Sequence, residues 1–271
     1  MNALTIDLES WVHIKHFNFD SNERKKIDDS YILNSTNYIL KTLKNYDVKT
    51  TFFIVGEIYD WYPSLIENIY SQGHEIAYHT HNHETLSTKE VLIKQLELSN
   101  NFIDDYEPKG FRAPEAFIKK SYLSILKDHY FDYDSSIYFE YKNNCIIDGV
   151  KEIPISTYPI FKRKTSITFP RNLSLGLVLK EIPFGSGYLF SILGSHSSWF
   201  INQLNGQDKP AILFIHPWQI LDPPSGWRKE VFSRYPNPII LPYLVNCQNT
   251  FISLLAKHEF TTISDIIEGG W

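Results

Sequence analysis

The 271-residue sequence is 43% hydrophobic, 15% aromatic and 21% charged, a balance that builds a buried core and excludes a disordered chain. Its 26 basic and 31 acidic residues leave a net charge of -5 and no block of like charge longer than Arg24-Lys25-Lys26, so no nucleic-acid partner is expected. Roughly 150 residues per domain would give about two domains, yet α/β barrels of about 250 residues fold as one; with no linker, repeat or low-complexity stretch, a single domain over 1–271 is expected.

Short β-branched and aromatic runs alternate with helical periodicity in the first half, the pattern of βα units feeding a parallel sheet. In chain order the sequence predicts a strand at 4–8, a helix at 35–46, a strand at 51–55, a helix at 62–71 and a strand at 75–78. A polar loop carrying His79 to His83 then feeds a helix at 88–105, a strand at 110–112, a helix at 122–129 and a strand at 131–135. From 137 to 187, prolines 154, 159, 170 and 183 interrupt every apolar run, which reads as an irregular insertion. Regularity returns with a helix at 192–205, a strand at 211–215, a Pro-rich loop to Pro242, a helix at 249–258 and a last strand at 260–263.

Cys145 and Cys247 lie far apart and outside any Cys-x-x-Cys spacing, which reads as two buried thiols. Met1 to Asp7 puts a carboxylate where a signal peptide needs its apolar stretch. A cytoplasmic location is therefore expected, with association at the inner face of the membrane. The uncharged runs 182–207 and 236–256 are long enough to span a bilayer but are broken by Pro, Asn, Ser or Gly, so no transmembrane segment is expected.

No G-x-G-x-x-G follows the first strand and no P-loop occurs, which removes the usual nucleotide cradles. Instead, ionisable residues stand at the carboxyl ends of successive predicted strands, where α/β barrels and open α/β sheets build their sites. Asp7 and Glu9 flank Leu8, so alternation puts both carboxylates on one face, a costly pairing unless a cation or proton sits between them. His79 and His83 are i and i+4, which on a helical turn faces both rings one way and suits a zinc-like ion, with His81 pointing elsewhere. Arg112 at a strand end can hold a neighbouring carboxylate. Asp134 can orient a histidine or shape a turn, and His216, directly after an apolar strand, is placed as a general acid or base. His13, His16, His74, His129, His196 and His258 have no convergent company.

Taken in order, Asp7-Leu8-Glu9, Thr51-Phe52-Phe53, Gly73-His74-Glu75-Ile76 through His79 and His83, Gly110 to Pro114, Tyr133-Asp134-Ser135-Ser136 and Leu213 to Trp218 resemble the NodB-homology polysaccharide deacetylases over about residues 4–265. The Asp-Ser-Ser and His-Pro-Trp elements, with Glu152-Ile153-Pro154 between them, look most like the branch found in exopolysaccharide loci. The resemblance implies a distorted (β/α) barrel of about seven strands and metal-dependent hydrolysis of the N-acetyl group of a glycan or sugar. It implies Glu9, His79 and His83 as ligands of a divalent metal, zinc first, with cobalt, nickel or iron as alternatives. Asp7 would be the general base, Arg112 its orienting partner, His216 the general acid and Asp134 a group tuning His216. The backbone N–H of Glu115 would help stabilise the oxyanion, and Trp218 would contact substrate. Two departures are visible: most members carry adjacent aspartates where Asp7-Leu8-Glu9 stands, and Glu115 replaces a common aromatic. A related hydrolase of cyclic amides or N-formyl groups, and a catalytically inactive glycan-binding barrel, are the competing readings.

Overall fold

The computed structural model describes residues 1–14, 19–160, 166–234, 236 and 238–270, with backbone only at 238 and 239; His16 lies outside the described residues. Among the described residues there are twelve strands: β1 Ala3–Leu8, β2 Thr51–Ile54, β3 Glu75–Tyr78, β4 Gly110–Phe111, β5 Tyr133–Asp134, β6 Tyr138–Phe139, β7 Ile146–Ile147, β8 Val150–Glu152, β9 Ile155–Ser156, β10 Tyr158–Pro159, β11 Glu181–Ile182 and β12 Ile212–Ile215. Eight of them form one curled sheet in the order β12-β1-β2-β3-β4-β5-β8-β7. Its pairs are parallel except the terminal β7–β8 hairpin. The result is the expected α/β half-barrel, with eight strands in its main sheet rather than about seven.

Alternation along the strands decides which side chains meet inside. Leu4, Ile6 and Leu8 of β1, Phe52 and Ile54 of β2, Ile76 and Tyr78 of β3 and Leu213 and Ile215 of β12 face outward into the main core shared with the surrounding helices. Ala3, Phe53, Ala77 and Ile212 face inward with Tyr133, Ile153, Ile263 and Ile266. Carried to the strand ends, the same alternation turns Asp7, Glu9, His79, Arg112 and His216 inward at one end of the barrel. The opposite end is sealed by a polar knot. Glu75 accepts hydrogen bonds from Tyr133 Oη at 2.8 Å, Thr51 Oγ1 at 2.6 Å and Ser264 Oγ at 2.6 Å, at the start of the helix Ile263–Glu268. Gly110 has no side chain because an added Cβ would lie 2.1 Å from the Tyr133 ring.

The predicted insertion contributes β6 to β11 and the short helix Leu175–Val178. The parallel pair β6–β9 closes part of the gap left by the open sheet. Ile153 N–H donates to the Asp134 carbonyl at 2.8 Å, and on the other side Phe214 N–H donates to Gly185 carbonyl at 2.9 Å. Ile212 N–H donates to the Ser156 hydroxyl at 2.8 Å, so a side chain stands in for one rung of a ladder.

Several local expectations change. The helix predicted at 62–71 is preceded by a separate one, Gly56–Trp61, broken at Tyr62 before Pro63. The helix predicted at 88–105 divides at Ser99 into Lys89–Leu98 and Asn100–Tyr106. The last strand reduces to a single bridge between Asn2 and Phe260, because Thr262 caps the helix that follows by accepting from Asp265 N–H. Cys247 is buried as expected, whereas Cys145 is only half-buried, and both are free thiols. No helix among the described residues is long and apolar enough to cross a membrane.

Candidate active site

Six of the residues singled out by position, Asp7, Glu9, His79, His83, Arg112 and His216, converge at the carboxyl ends of β1, β3, β4 and β12, in a cleft of about 700 Å³ that also touches Glu115 and Trp218. Glu9, His79 and His83 offer one donor atom each, all within 4.8 Å of one another. Glu9 Oε2 lies 3.1 Å from His83 Nε2, and Glu9 Oε1 lies 3.1 Å from His216 Nε2. The two histidines do not sit on a helical turn. They bracket a loop in which Thr80 and His83 themselves adopt left-handed backbone, φ 63° and 60°, and this brings the two rings to a centroid separation of 5.0 Å. His81 points away as expected, with Nδ1 3.1 Å from Ser99 Oγ.

The donor set fits a divalent cation. His79 Nδ1 is 2.7 Å from the Arg112 carbonyl, which can only accept, so the ring carries its proton there and leaves the Nε2 lone pair for a ligand. Burial pushes both His79 and His83 down to about 4, so both rings are neutral at pH 7, as a metal ligand requires. Glu9 Oε2 and His83 Nδ1 are buried without a hydrogen-bond partner among the described residues, an arrangement that normally calls for an ion or water. The departure from adjacent aspartates is accommodated because Glu9 is two residues beyond Asp7 on the same strand face.

Asp7 and Arg112 form the second half of the centre. Arg112 is almost wholly buried and donates from Nη1 to Asp7 Oδ1 at 2.6 Å and to Thr5 Oγ1 at 2.8 Å. Its Nε and Nη2 donate to the Ser135 carbonyl at 2.9 Å and hydroxyl at 2.8 Å, and its guanidinium lies 3.9 Å from the Phe53 ring centroid. Burial opposes the charge on Asp7, but the Arg112 guanidinium, with His79 and His216 behind it, outweighs that effect and holds the carboxyl below its ordinary range. From the sequence Thr5 receives no part, and Ser135 stands in the Asp134-Ser135-Ser136 element without a role. Thr5 shares the alternation of Asp7, which is a readable signal, and the Asp-Ser-Ser element marks the place of Ser135 but not its partner Arg112.

His216 stacks on Trp218 with ring centroids 4.4 Å apart and planes 7° from parallel. Trp218 is buried and donates Nε1–H to the Tyr243 carbonyl at 2.9 Å, so it is a wall and a support for the histidine rather than an open sugar platform. Gln219 Nε2 donates to the Gly187 carbonyl at 2.8 Å, which fixes its amide, and Oε1 then accepts from His216 N–H at 3.2 Å and Nδ1–H at 3.0 Å. A Cβ at residue 187 would lie 2.6 Å from Gln219 Oε1, so Gly187 makes this contact possible. Burial pulls His216 down, but Glu9, Asp7 and Gln219 reverse it, and the net direction is up, toward an imidazolium.

Asp134 does not tune His216; Gln219 holds that position. Asp134 is buried beside Ser136, accepting its hydroxyl at 2.5 Å and its N–H at 3.1 Å, and pairs across β5–β8 with Glu152. Neither Glu152 oxygen has a donor, so a hydrogen bond between the two carboxyls requires a shared proton. Burial, reinforced by Asp134, pushes Glu152 well up, and burial pushes Asp134 up to about 6. Both acids keep protons in the fold that the unfolded chain releases near pH 4, so stability falls as pH rises from there through about 6. Glu152→Gln is expected to flatten this decline: in thermal melts its advantage over the parent should widen between about pH 5 and pH 8. Parallel profiles would show that no proton is shared.

Glu115 is exposed at the cleft edge with left-handed backbone, φ 57°, followed by Ala116 at φ 51°. Both residues of the turn line the cleft. The remaining wall comes largely from the insertion, through Tyr138, Ile155 and 172–175, and from Tyr188 and Tyr243.

Residues 26–133 match the family model described as polysaccharide deacetylase. The chain is 32% identical over 125 residues to a peptidoglycan-N-acetylglucosamine deacetylase of Bacillus cereus, covering 42% of this chain and 45% of that protein. It is 35% identical over 98 residues to chitin deacetylase 1 of Saccharomyces cerevisiae, covering 34% of this chain and 32% of that protein. The match thus spans less than half the length of these relatives. Among solved structures, one assigned to the polysaccharide deacetylases of Mycobacterium smegmatis superposes with a TM-score of 0.58 at 17% identity, covering 99% of this chain and 88% of the other. A point mutant of the peptidoglycan deacetylase PdaC of Bacillus subtilis gives 0.50 at 14% identity, covering 99% and 90%. At these identities the structural likeness is one of fold.

Proposed function

From the premise that this chain carries the polysaccharide deacetylase domain over residues 26–133, we propose that it is a metal-dependent N-deacetylase hydrolysing the acetamide of an N-acetylated sugar during surface glycan biosynthesis. The observation that carries the reading is the convergence of three donor atoms within 4.8 Å beside an ionised, Arg112-bound Asp7. Glu9, His79 and His83 would hold the cation. Bound there, a divalent metal supplies Lewis acidity to the acetamide carbonyl.

The chain's own groups supply the rest. Asp7 stays ionised beneath Arg112 and takes the proton of the attacking water as general base. His216, held with Nδ1–H on Gln219 and Nε2 turned into the cleft, delivers a proton to the departing amine. The backbone N–H of Glu115, in the left-handed turn at the cleft edge, would meet the negative charge that develops on the carbonyl oxygen. The tight packing of Trp218 and Tyr243 around His216 keeps the imidazole from rotating. A cytoplasmic site of action belongs to the same proposal.

The test is metal content of untagged protein together with acetate release. About one zinc per chain is expected, with acetate released from N-acetylhexosamine glycosides and lost on chelation. Metal without acetate, but with formate or a ring-opened cyclic amide released, would move the reading to the related amide hydrolases. No metal after reconstitution would favour the inactive glycan-binding barrel.

A further inference from the structure

We propose that the N-acetylated sugar taken by this site is carried on a hydrocarbon chain, so that the substrate is a glycolipid whose apolar tail lies along the aliphatic side of the cleft; this rests on the deacetylase reading. The reacting groups occupy one end of the cleft. Away from them the lining is mainly aliphatic, with Ile14, Leu173, Leu175, Val178, Ile240 and Leu244 interrupted by Asn172 and Ser174. A longer glycan would lay hydroxyls against this wall, and aliphatic side chains leave those hydroxyls without partners. Sugar rings also favour aromatic faces, and the aromatic groups here lie close to the reacting end: Trp218 is buried against His216, and Tyr243 stands 5.9 Å from it.

The wall continues into the open. Leu175 is 76% exposed and Val178 37% exposed while both line the cleft, and Leu179 beside them is 65% exposed. On the facing segment Leu241 and Val245, at 47% and 45%, adjoin the lining residues Ile240 and Leu244. Aliphatic side chains left exposed at the mouth of a site mark a binding surface. Because this surface runs into the catalytic cleft, its occupant must be continuous with the amide that reaches Asp7 and His216, which selects the substrate itself over a second protein. A nucleotide-linked sugar fits poorly: among the described lining residues the one arginine or lysine is Arg112, and its guanidinium is committed to Asp7, Thr5 and Ser135.

The experiment is acetate release by the zinc-loaded protein from methyl, butyl and octyl glycosides of N-acetylglucosamine and N-acetylgalactosamine, below micelle formation, with chitotetraose alongside. Each methylene taken from water favours binding about fourfold when fully buried. With partial burial, kcat/KM is expected to rise at least tenfold from methyl to octyl, mainly through KM, and octyl to exceed chitotetraose. Leu175→Asn with Val178→Asn, both on the exposed face of a short helix, should pull the octyl-to-methyl ratio back toward one. A flat series with chitotetraose preferred overturns the glycolipid assignment and leaves deacetylation standing. No acetate from any of them, with metal bound, overturns both.

Discussion

Asp7→Asn is expected to lower kcat for acetate release by roughly 10²- to 10⁴-fold, the range over which a positioned general base contributes, with KM little changed. The carboxylate is buried, held at 2.6 Å by Arg112, and kept ionised by that neighbour, so its basicity is available at neutral pH without competition from solvent protons. Asparagine keeps an oxygen for Arg112 Nη1 but cannot take a proton. Deleting the partner of a buried charge outright costs about 3–5 kcal/mol; the amide oxygen should hold the loss below that, and a thermal melt checks it. A rate within threefold of the parent, with metal bound, would remove Asp7 from the role of base.

His83→Ala is the second large effect. Removing one of three convergent donors should weaken metal binding by more than the roughly 10- to 100-fold that accompanies loss of a merely supporting group. Elemental analysis after dialysis should fall from about one metal per chain to near none, and acetate release should fall with it. Residue 83 sits at φ 60°, a conformation that strains alanine by about 1 kcal/mol or more, so some loss of stability is expected for reasons unrelated to metal. Asparagine tolerates that backbone better. His83→Asn should therefore recover stability without recovering metal, and a variant that kept full occupancy would refute the ligand assignment.

Much of this was readable from the residues because a strand has period two. Once β1, β2, β3 and β12 are recognised as apolar runs, alternation alone turns Asp7, Glu9, His79 and His216 to one interior, and the layers of Ala3, Phe53 and Ala77 beneath them follow the same rule. The histidine pair illustrates the limit. Its spacing implied a helical turn, whereas two left-handed residues do the folding, and nothing local in Thr80 or His83 announces φ above zero as a glycine would. Asp134 went to Glu152 rather than His216 because register between β5 and β8 is set by a hairpin inside the irregular segment, where prolines hide the pattern. Gln219 was within reach: three residues after His216 across a turn opened by Pro217, it is placed to fold back on that histidine. The false last strand was equally avoidable, since Thr262 and Asp265 spell a helix start.

The seam at β12 divides the molecule by stability rather than by sequence. One edge of β12 is zipped to β1 through four consecutive register pairs. The other hangs on Gly185 and on the hydroxyl of Ser156, both inside the 137–187 excursion. Local opening costs least where few ladder bonds must break. The excursion can therefore come away from the amides of Ile212 and Phe214 while β12 stays in place. Asp7, His79, His83 and Arg112 keep their partners through such an opening, His216 gives up the Gly187 carbonyl that fixes Gln219, and the half that yields is the one bearing Leu173, Leu175 and Val178. Admission of a bulky substrate and preservation of the Asp7–Arg112 pair and the three candidate donors thus draw on separate reserves of folding energy.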